Sequence, residues 1–240
     1  MAYINGKEIL FSPTIEGYEL GKQAQYDAFW DSYLAKGATR KYAYAFAGIC
    51  WSDNNFYPKH NIICGADAGQ CFYNSQVSNI KARLEECGVK LDTSKATGLY
   101  QAFYYAVTKE LPEISAENAT NLYCLFNSNP KLTRVDKLIL KADGTSPHLT
   151  NICVGCTALE YIRFEGLIGT SITMSSCSLL SVDSAKSIIE HLANYADTEN
   201  EGKYTVKLHA NTWAALEADG KAPDGNTWAD YVTTTLGWLI

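Results

Sequence analysis

Short apolar runs recur through the middle of the chain. Ile62-Ile63, Val89-Lys90-Leu91, Leu138-Ile139-Leu140 and Ile162-Arg163-Phe164 read as strands, with Ile114 at the equivalent place in a further copy. Between them a second pattern repeats from about residue 60 to residue 182. An aromatic or other apolar residue is followed three positions later by a small polar residue or Cys, and often by Leu three beyond that. Phe126-Asn129-Leu132, Cys153-Cys156-Leu159 and Met174-Cys177-Leu180 fit this spacing, while Phe72 to Val77 and Phe103 to Val107 are degenerate copies. Neighbouring copies lie 21 residues (Cys153 to Met174) to 31 residues (Phe72 to Phe103) apart, the range of stacked structural repeats rather than of tandem domains. A unit this small cannot bury its own apolar side, so the units are expected to stack.

Both flanks carry patterns suited to closing such a stack. Gln25 to Leu34 places apolar residues at helical spacing and stops at Lys36-Gly37; Arg40 to Ile49 then reads as a strand. On the carboxyl side, Ser184 is expected to cap a helix running to about Tyr195, with Ile188, Ile189 and Leu192 on one face. Tyr204 to His209 alternates like a half-buried strand, Asn211 to Glu217 begins another helix, and Trp228 to Leu236 a last one. Trp213, Trp228 and Trp238 are expected to cover the last repeat. The chain divides accordingly into an attachment or edge-strand segment (1–20), an N-terminal cap (21–60), the repeats (61–182) and a C-terminal cap (183–240).

Asn129-Pro-Lys-Leu-Thr-Arg-Val135 and Cys156-Thr-Ala-Leu-Glu-Tyr-Ile-Arg-Phe-Glu-Gly166 resemble the irregular leucine-rich repeats of BspA-like bacterial surface proteins, a repeat type also carried by tail and other virion proteins of gut-associated phages and prophages. Met1 to Pro13, Tyr26 to Tyr33, and Tyr44-Ala45-Phe46 with Trp51 to Phe56 resemble the phage-encoded members. The resemblance covers about half the chain, and the copies are few, uneven in length and often carry Val or Ile in place of Leu. It implies an α/β fold: an irregular leucine-rich-repeat solenoid with a short parallel sheet, flanked by an N-terminal helix/strand cap and a C-terminal helical α/β cap. In such a solenoid Ser75, Asn129, Cys156 and Cys177 form a ladder of inward side chains serving backbone groups that the turns leave unpaired. Leu138–Leu140 and Ile162–Phe164, one copy apart, are expected to be direct neighbours in one parallel sheet.

Composition narrows function by exclusion. The 240 residues include 20 Lys or Arg and 26 Asp or Glu, a net charge of −6, with the cations dispersed; nucleic acid, which needs a clustered basic face, is not an expected partner. Only 19% of residues are charged, below the ~25% usual in soluble domains, and 16 are Tyr, a surface suited to persistent contact. No apolar run approaches the ~20 residues of a spanning helix, and Met1 to Glu8 has no secretory pattern. The eight cysteines, mostly among apolar neighbours, are expected to be reduced, buried and free of metal. Cys153-Val-Gly-Cys156 is the one C-x-x-C, with no second ligand pair beyond His148 nearby. Asp197 to Leu208 starts like a calcium loop but ends on Leu208 where a carboxylate is needed. His60, His148, His191 and His209 lie in no nucleophile or metal motif, and no phosphate-binding glycine loop is present.

No catalytic residue, cofactor or metal is therefore expected. The expected function is a non-enzymatic virion structural or host-recognition protein, assembled in the host cytoplasm. Its partners would be a protein or glycan on a bacterial surface, other virion proteins and further copies of itself. The alternatives are a cell-surface adhesin or an intracellular protein-binding scaffold of the same repeat type. Ile9, Leu10 and Phe11 mark the candidate attachment segment, a short apolar strand able to pair with a neighbouring sheet edge.

Overall fold

The structure is a computed structural model that describes residues 2–4, 7–9, 52–53, 56–58, 61–64, 68–145 and 147–240. It is a mixed α/β arrangement of short sheets, nearly all parallel, with four helices and no closed barrel among the described residues. The strands are β1 (Ala2–Ile4), β2 (Lys7–Ile9), β3 (Ile62–Ile63), β4 (Leu91–Asp92), β5 (Glu110–Ser115), β6 (Arg134–Ile139), β7 (Tyr161–Glu165), β8 (Ile172–Met174) and β9 (Val206–Leu208). The helices are α1 (Ile80–Glu86), α2 (Val182–Glu190), α3 (Ala210–Asp219) and α4 (Trp228–Asp230), the last continuing into a π-helical turn over Tyr231–Thr235. β1 and β2 form an antiparallel pair; β3–β4, β5–β6–β7 and β8–β9 are parallel.

β6 and β7 are direct parallel neighbours, with Val135 opposite Ile162 and Leu138 opposite Phe164, as the spacing of the two runs anticipates. In β5–β6–β7 the inward columns are Leu111, Val135 and Ile162, then Ile114, Leu138 and Phe164, all buried. Between these columns β5 and β6 each carry two residues (Pro112-Glu113 and Asp136-Lys137) where β7 carries Arg163 alone, so the register shifts between Val135 and Leu138.

A second set of parallel runs carries the recurring pattern. The N–H groups of Ala68, Gln70, Phe72 and Asn74 donate to the carbonyls of Gly98, Tyr100, Ala102 and Tyr104. Those of Leu99, Gln101, Phe103 and Tyr105 donate to Asn121, Tyr123, Leu125 and Asn127, and those of Phe126 and Ser128 to Ile152 and Val154. Each of the first three runs thus hands alternate backbone donors to the next, while others, such as the N–H groups of Tyr73, Ser75 and Ile152, close turns within their own run, which answers where the polar groups of these irregular segments go. The pattern's apolar residues stack across the runs: Phe56, Phe72, Phe103 and Phe126 are buried, with successive ring centroids 5.6, 5.3 and 6.0 Å apart. Cys153 and Met174 continue this buried column.

Two elements differ from the sequence reading. α2 begins one turn earlier than expected, with Ser181 as its N-cap and Ser184 inside the helix, and it ends at Glu190 rather than near Tyr195. α1 was absent from the periodicity; Asn79 caps it, and Ile80 and Leu84 bury its inner face. β9, α3 and α4 fall where the carboxyl-side pattern places them, and Trp228 and Trp238 are buried, with Trp213 packed at the margin. The expected helix over Gln25–Leu34 and strand over Arg40–Ile49 lie outside the described residues.

Candidate recognition surface

Three neighbouring runs share a backbone device, and a fourth carries its second half. Gln70, Gln101 and Cys124 adopt left-handed φ values of 58°, 52° and 56°, four residues further on Asn74, Tyr105 and Ser128 adopt 55°, 57° and 61°, and in the next run Gly155 adopts 78°. Side chains other than glycine hold this conformation only where their surroundings over-determine it. Here the ladder of inter-run hydrogen bonds does so, and because each run repeats its neighbour's conformation, equivalent side chains emerge in register.

What emerges is aromatic and neutral. The Tyr73 and Tyr104 rings stack at 5.6 Å and 24°, and Tyr105 stands nearly perpendicular to both, at 6.5 Å and 81° from Tyr73 and 4.3 Å and 76° from Tyr104. The three rings therefore make a floor and a wall. Tyr105 is 50% exposed and Tyr123, one run further on, 51%. Tyr100 lies flat over Gly69, where a Cβ would collide with its ring. The Gln70 amide donates to Gln101 Oε1 at 2.6 Å, and Ser128 Oγ to Asn127 Oδ1 at 2.7 Å. The neighbouring Tyr105 hydroxyl pushes the Tyr104 phenol above its ordinary value, and Cys124 does the same for Tyr123. These phenols are thus neutral donors over the physiological range.

Charge is excluded from these runs. Residues 68–80, 96–108, 118–130, 144–159 and 166–182 contain no Asp, Glu, Lys or Arg. Counting composition over the whole chain hides this segregation; counting charge against the phase of the repeat would have revealed the face. The charges lie instead on the strands, helices and turns between these stretches. Lys137 bridges Glu113 and Glu165 at 3.4 and 2.9 Å across β5–β6–β7, and Asp136 holds Lys81 and Arg134 at 2.8 and 2.7 Å. Burial pushes the Asp136 carboxyl up, but those two cations more than offset it and hold it below the usual range. The Arg134 guanidinium also stacks 3.8 Å over the Tyr161 ring. A shallow groove of about 360 Å³ beside this network is lined by Asp92, Ser94, Glu113 and Glu117.

The residues expected to form the inward ladder are all buried. The Asn129 amide donates to the Phe103 carbonyl at 2.6 Å, Cys156 Sγ to the Phe126 carbonyl at 3.0 Å, and Cys177 Sγ faces the Cys153 carbonyl at 3.9 Å. Ser75 Oγ accepts the Val77 N–H at 3.4 Å. Ala106 occupies the same buried place between Ser75 and Asn129, with no polar group to offer. Seven cysteines are described, and all are free thiols; six are buried, but Cys87 is only half-buried, contrary to the expectation for the whole set. Cys50 lies outside the described residues. The Cys64 thiol, then burial, push Cys71 well up, as Cys156 and Cys177 do for Cys153, the opposite of what a reactive thiolate requires. Ile9 closes β2, whereas Leu10 and Phe11 lie outside the described residues, as does His60.

The other motifs have local roles. His209 Nδ1 caps α3 by accepting the Asn211 N–H, and His191 Nδ1 sits 2.7 Å from the Ser187 carbonyl. Glu201 accepts the Asp197 N–H within the loop that resembles a calcium site. Among the described residues no group of three His, Cys, Asp or Glu is arranged to hold a metal ion, and no helix is long and apolar enough to cross a membrane. Comparison with protein families, with curated proteins and with solved structures found no match to this chain.

Proposed function

We propose that the parallel runs and strands are successive turns of an irregular leucine-rich-repeat solenoid of the BspA-like type, and that the chain is a non-enzymatic recognition or structural component of a phage or prophage particle. One observation carries the recognition role: repeated left-handed turns present tyrosines and amides in register on runs from which every charged side chain is missing. A face built only to be solvated would carry Lys and Glu, as the intervening strands and helices do. Stacked repeats offer an extended surface that makes many weak contacts, and display in many copies on a particle would supply avidity.

Location is tested in the source bacterium. After prophage induction, particles are banded on a density gradient and blotted with an antibody against this chain. Co-migration with the particles is the expected result. A signal confined to the cell envelope would overturn the particle assignment in favour of an adhesin, and a signal confined to the soluble cell fraction in favour of an intracellular scaffold.

A further inference from the structure

Resting on the reading of the tyrosine runs as a recognition face, we propose that the step formed by Tyr73, Tyr104 and Tyr105, extended by Tyr123, binds a neutral glycan. Three properties of the face select this ligand class. The first is charge. Binding a nucleic acid, a sialylated or uronate-bearing glycan, or a charged peptide would strip water from ligand charges with no counter-charge in residues 68–80, 96–108, 118–130 or 144–159 to replace it. A neutral sugar carries no such cost.

The second is the pairing of flat aromatic surface with neutral hydrogen-bonding groups. The stacked Tyr73–Tyr104 pair and the upright Tyr105 ring give two surfaces at right angles, against which the C–H faces of a pyranose ring can pack. Around them stand groups that both donate and accept: the phenols, Asn74 and Gln76, whose amide reaches the Asn74 carbonyl and Oδ1 at 3.2 and 3.3 Å. Sugar hydroxyls need this amphoteric surround. Tyrosine and amide side chains supply such contacts at low conformational cost when they are already held in place.

The third is area. On these four runs the exposed large apolar residues are Tyr105, Tyr123 and Val154. Three such residues are too few to make the apolar core that a stable protein interface carries, so a second copy or a globular partner fits the face poorly, whereas a few sugar units need only one or two aromatic surfaces.

The test uses the full chain and three neutral probes, cellohexaose, maltohexaose and hexa-N-acetylchitohexaose, with binding read by calorimetry and by saturation transfer from protein to sugar protons. We expect at least one probe to bind, with little change when salt is raised from about 0.1 to about 1 M. Tyr105→Ala and Tyr123→Ala should each weaken it about tenfold, the scale for losing one well-placed aromatic anchor, while Tyr105→Phe keeps most of the affinity. Circular dichroism confirms that each variant is folded, which these exposed positions permit. Absence of binding by all three probes, affinity unchanged in both Ala variants, or strong weakening by salt would each overturn the assignment. A chain that rides on purified particles yet ignores all three sugars fails this inference alone; one that binds sugar but never sediments with particles fails only the proposed location.

Discussion

Asn129 donates its amide to the Phe103 carbonyl from a fully buried site, while its own Oδ1 has no hydrogen-bond partner among the described residues. Asn129→Ala removes that bond together with the unpartnered Oδ1 and leaves the Phe103 carbonyl only the longer bond from the Ala106 N–H at 3.3 Å, so it is expected to cost roughly 0.5–1.5 kcal/mol in denaturant unfolding. Cys156→Ser keeps a donor facing the Phe126 carbonyl and should cost less than Cys156→Ala measured the same way. Gly166 has φ +81°, and a Cβ there would be driven into the Leu140 carbonyl where Leu167 N–H meets the Lys141 carbonyl at 2.9 Å. Gly166→Ala should therefore destabilise by at least roughly 1–3 kcal/mol. Two titrations can also be forecast. Burial, then the Glu86 carboxylate, push the half-buried Cys87 thiol up, so its alkylation rate in the native protein should still be climbing above about pH 9; Cys87→Ser would remove that phase. Asp136 is held low by Lys81 and Arg134, so its contribution is present above the unfolded-state value of about 4 and is lost as pH falls through its lower folded value. Asp136→Asn should accordingly flatten the drop in thermal midpoint below about pH 4.

At the scale of elements, β7 meets α2 at the margin of its sheet. The edge N–H groups of Ile162 and Phe164, which a further strand would accept, are taken instead by the hydroxyls of Ser184 and Ser187, each at 3.0 Å. A helix with serines at this spacing ends the β5–β6–β7 sheet without leaving a sticky edge. Ser184→Ala leaves one such buried donor unpaired and should lower stability by roughly 1–3 kcal/mol, whereas Ser181→Ala removes an N-cap at a cost of about 1 kcal/mol. Ser184 reads in sequence as a cap because Ser before an apolar helical stripe is the usual cap signal. Its actual work, satisfying a strand 22 residues earlier, leaves no local mark. α1 leaves no clear mark in the sequence for a similar reason: seven residues with only two buried give too short a stripe to stand out. Its place is fixed by distant groups, as Thr108 Oγ1 accepts the Ile80 N–H and Asp136 pairs with Lys81.

Across the whole molecule, stability should be the sum of units and their interfaces if the runs are turns of one stack. Ala106 and Asn129 occupy equivalent buried places, so deleting residues 107–129 joins two equivalent points and should leave a protein that still unfolds cooperatively. Deleting residues 107–118, which breaks the register, should not; chemical denaturation followed by circular dichroism distinguishes the two. The apolar spacing of the repeat was sufficient to place β6 beside β7 and to pick out Phe72, Phe103 and Phe126, because burial is a one-residue property written into hydrophobicity. Strand alternation was not readable, since the paired outward residues Pro112-Glu113 and Asp136-Lys137 break the period of two and only pairing with the neighbouring strand shows the extra residue in each. The tyrosine step was least legible of all. Its rings come from two runs 31 residues apart, and their emergence in register depends on left-handed turns at Gln70, Gln101, Asn74 and Tyr105 that no side-chain preference announces. Hydrophobicity along the chain is enough to say which residues go inside and that similar units recur. Which tyrosines meet and which hydroxyls close the sheet were settled only in the folded chain, because each depends on hydrogen bonds between segments 22 to 31 residues apart.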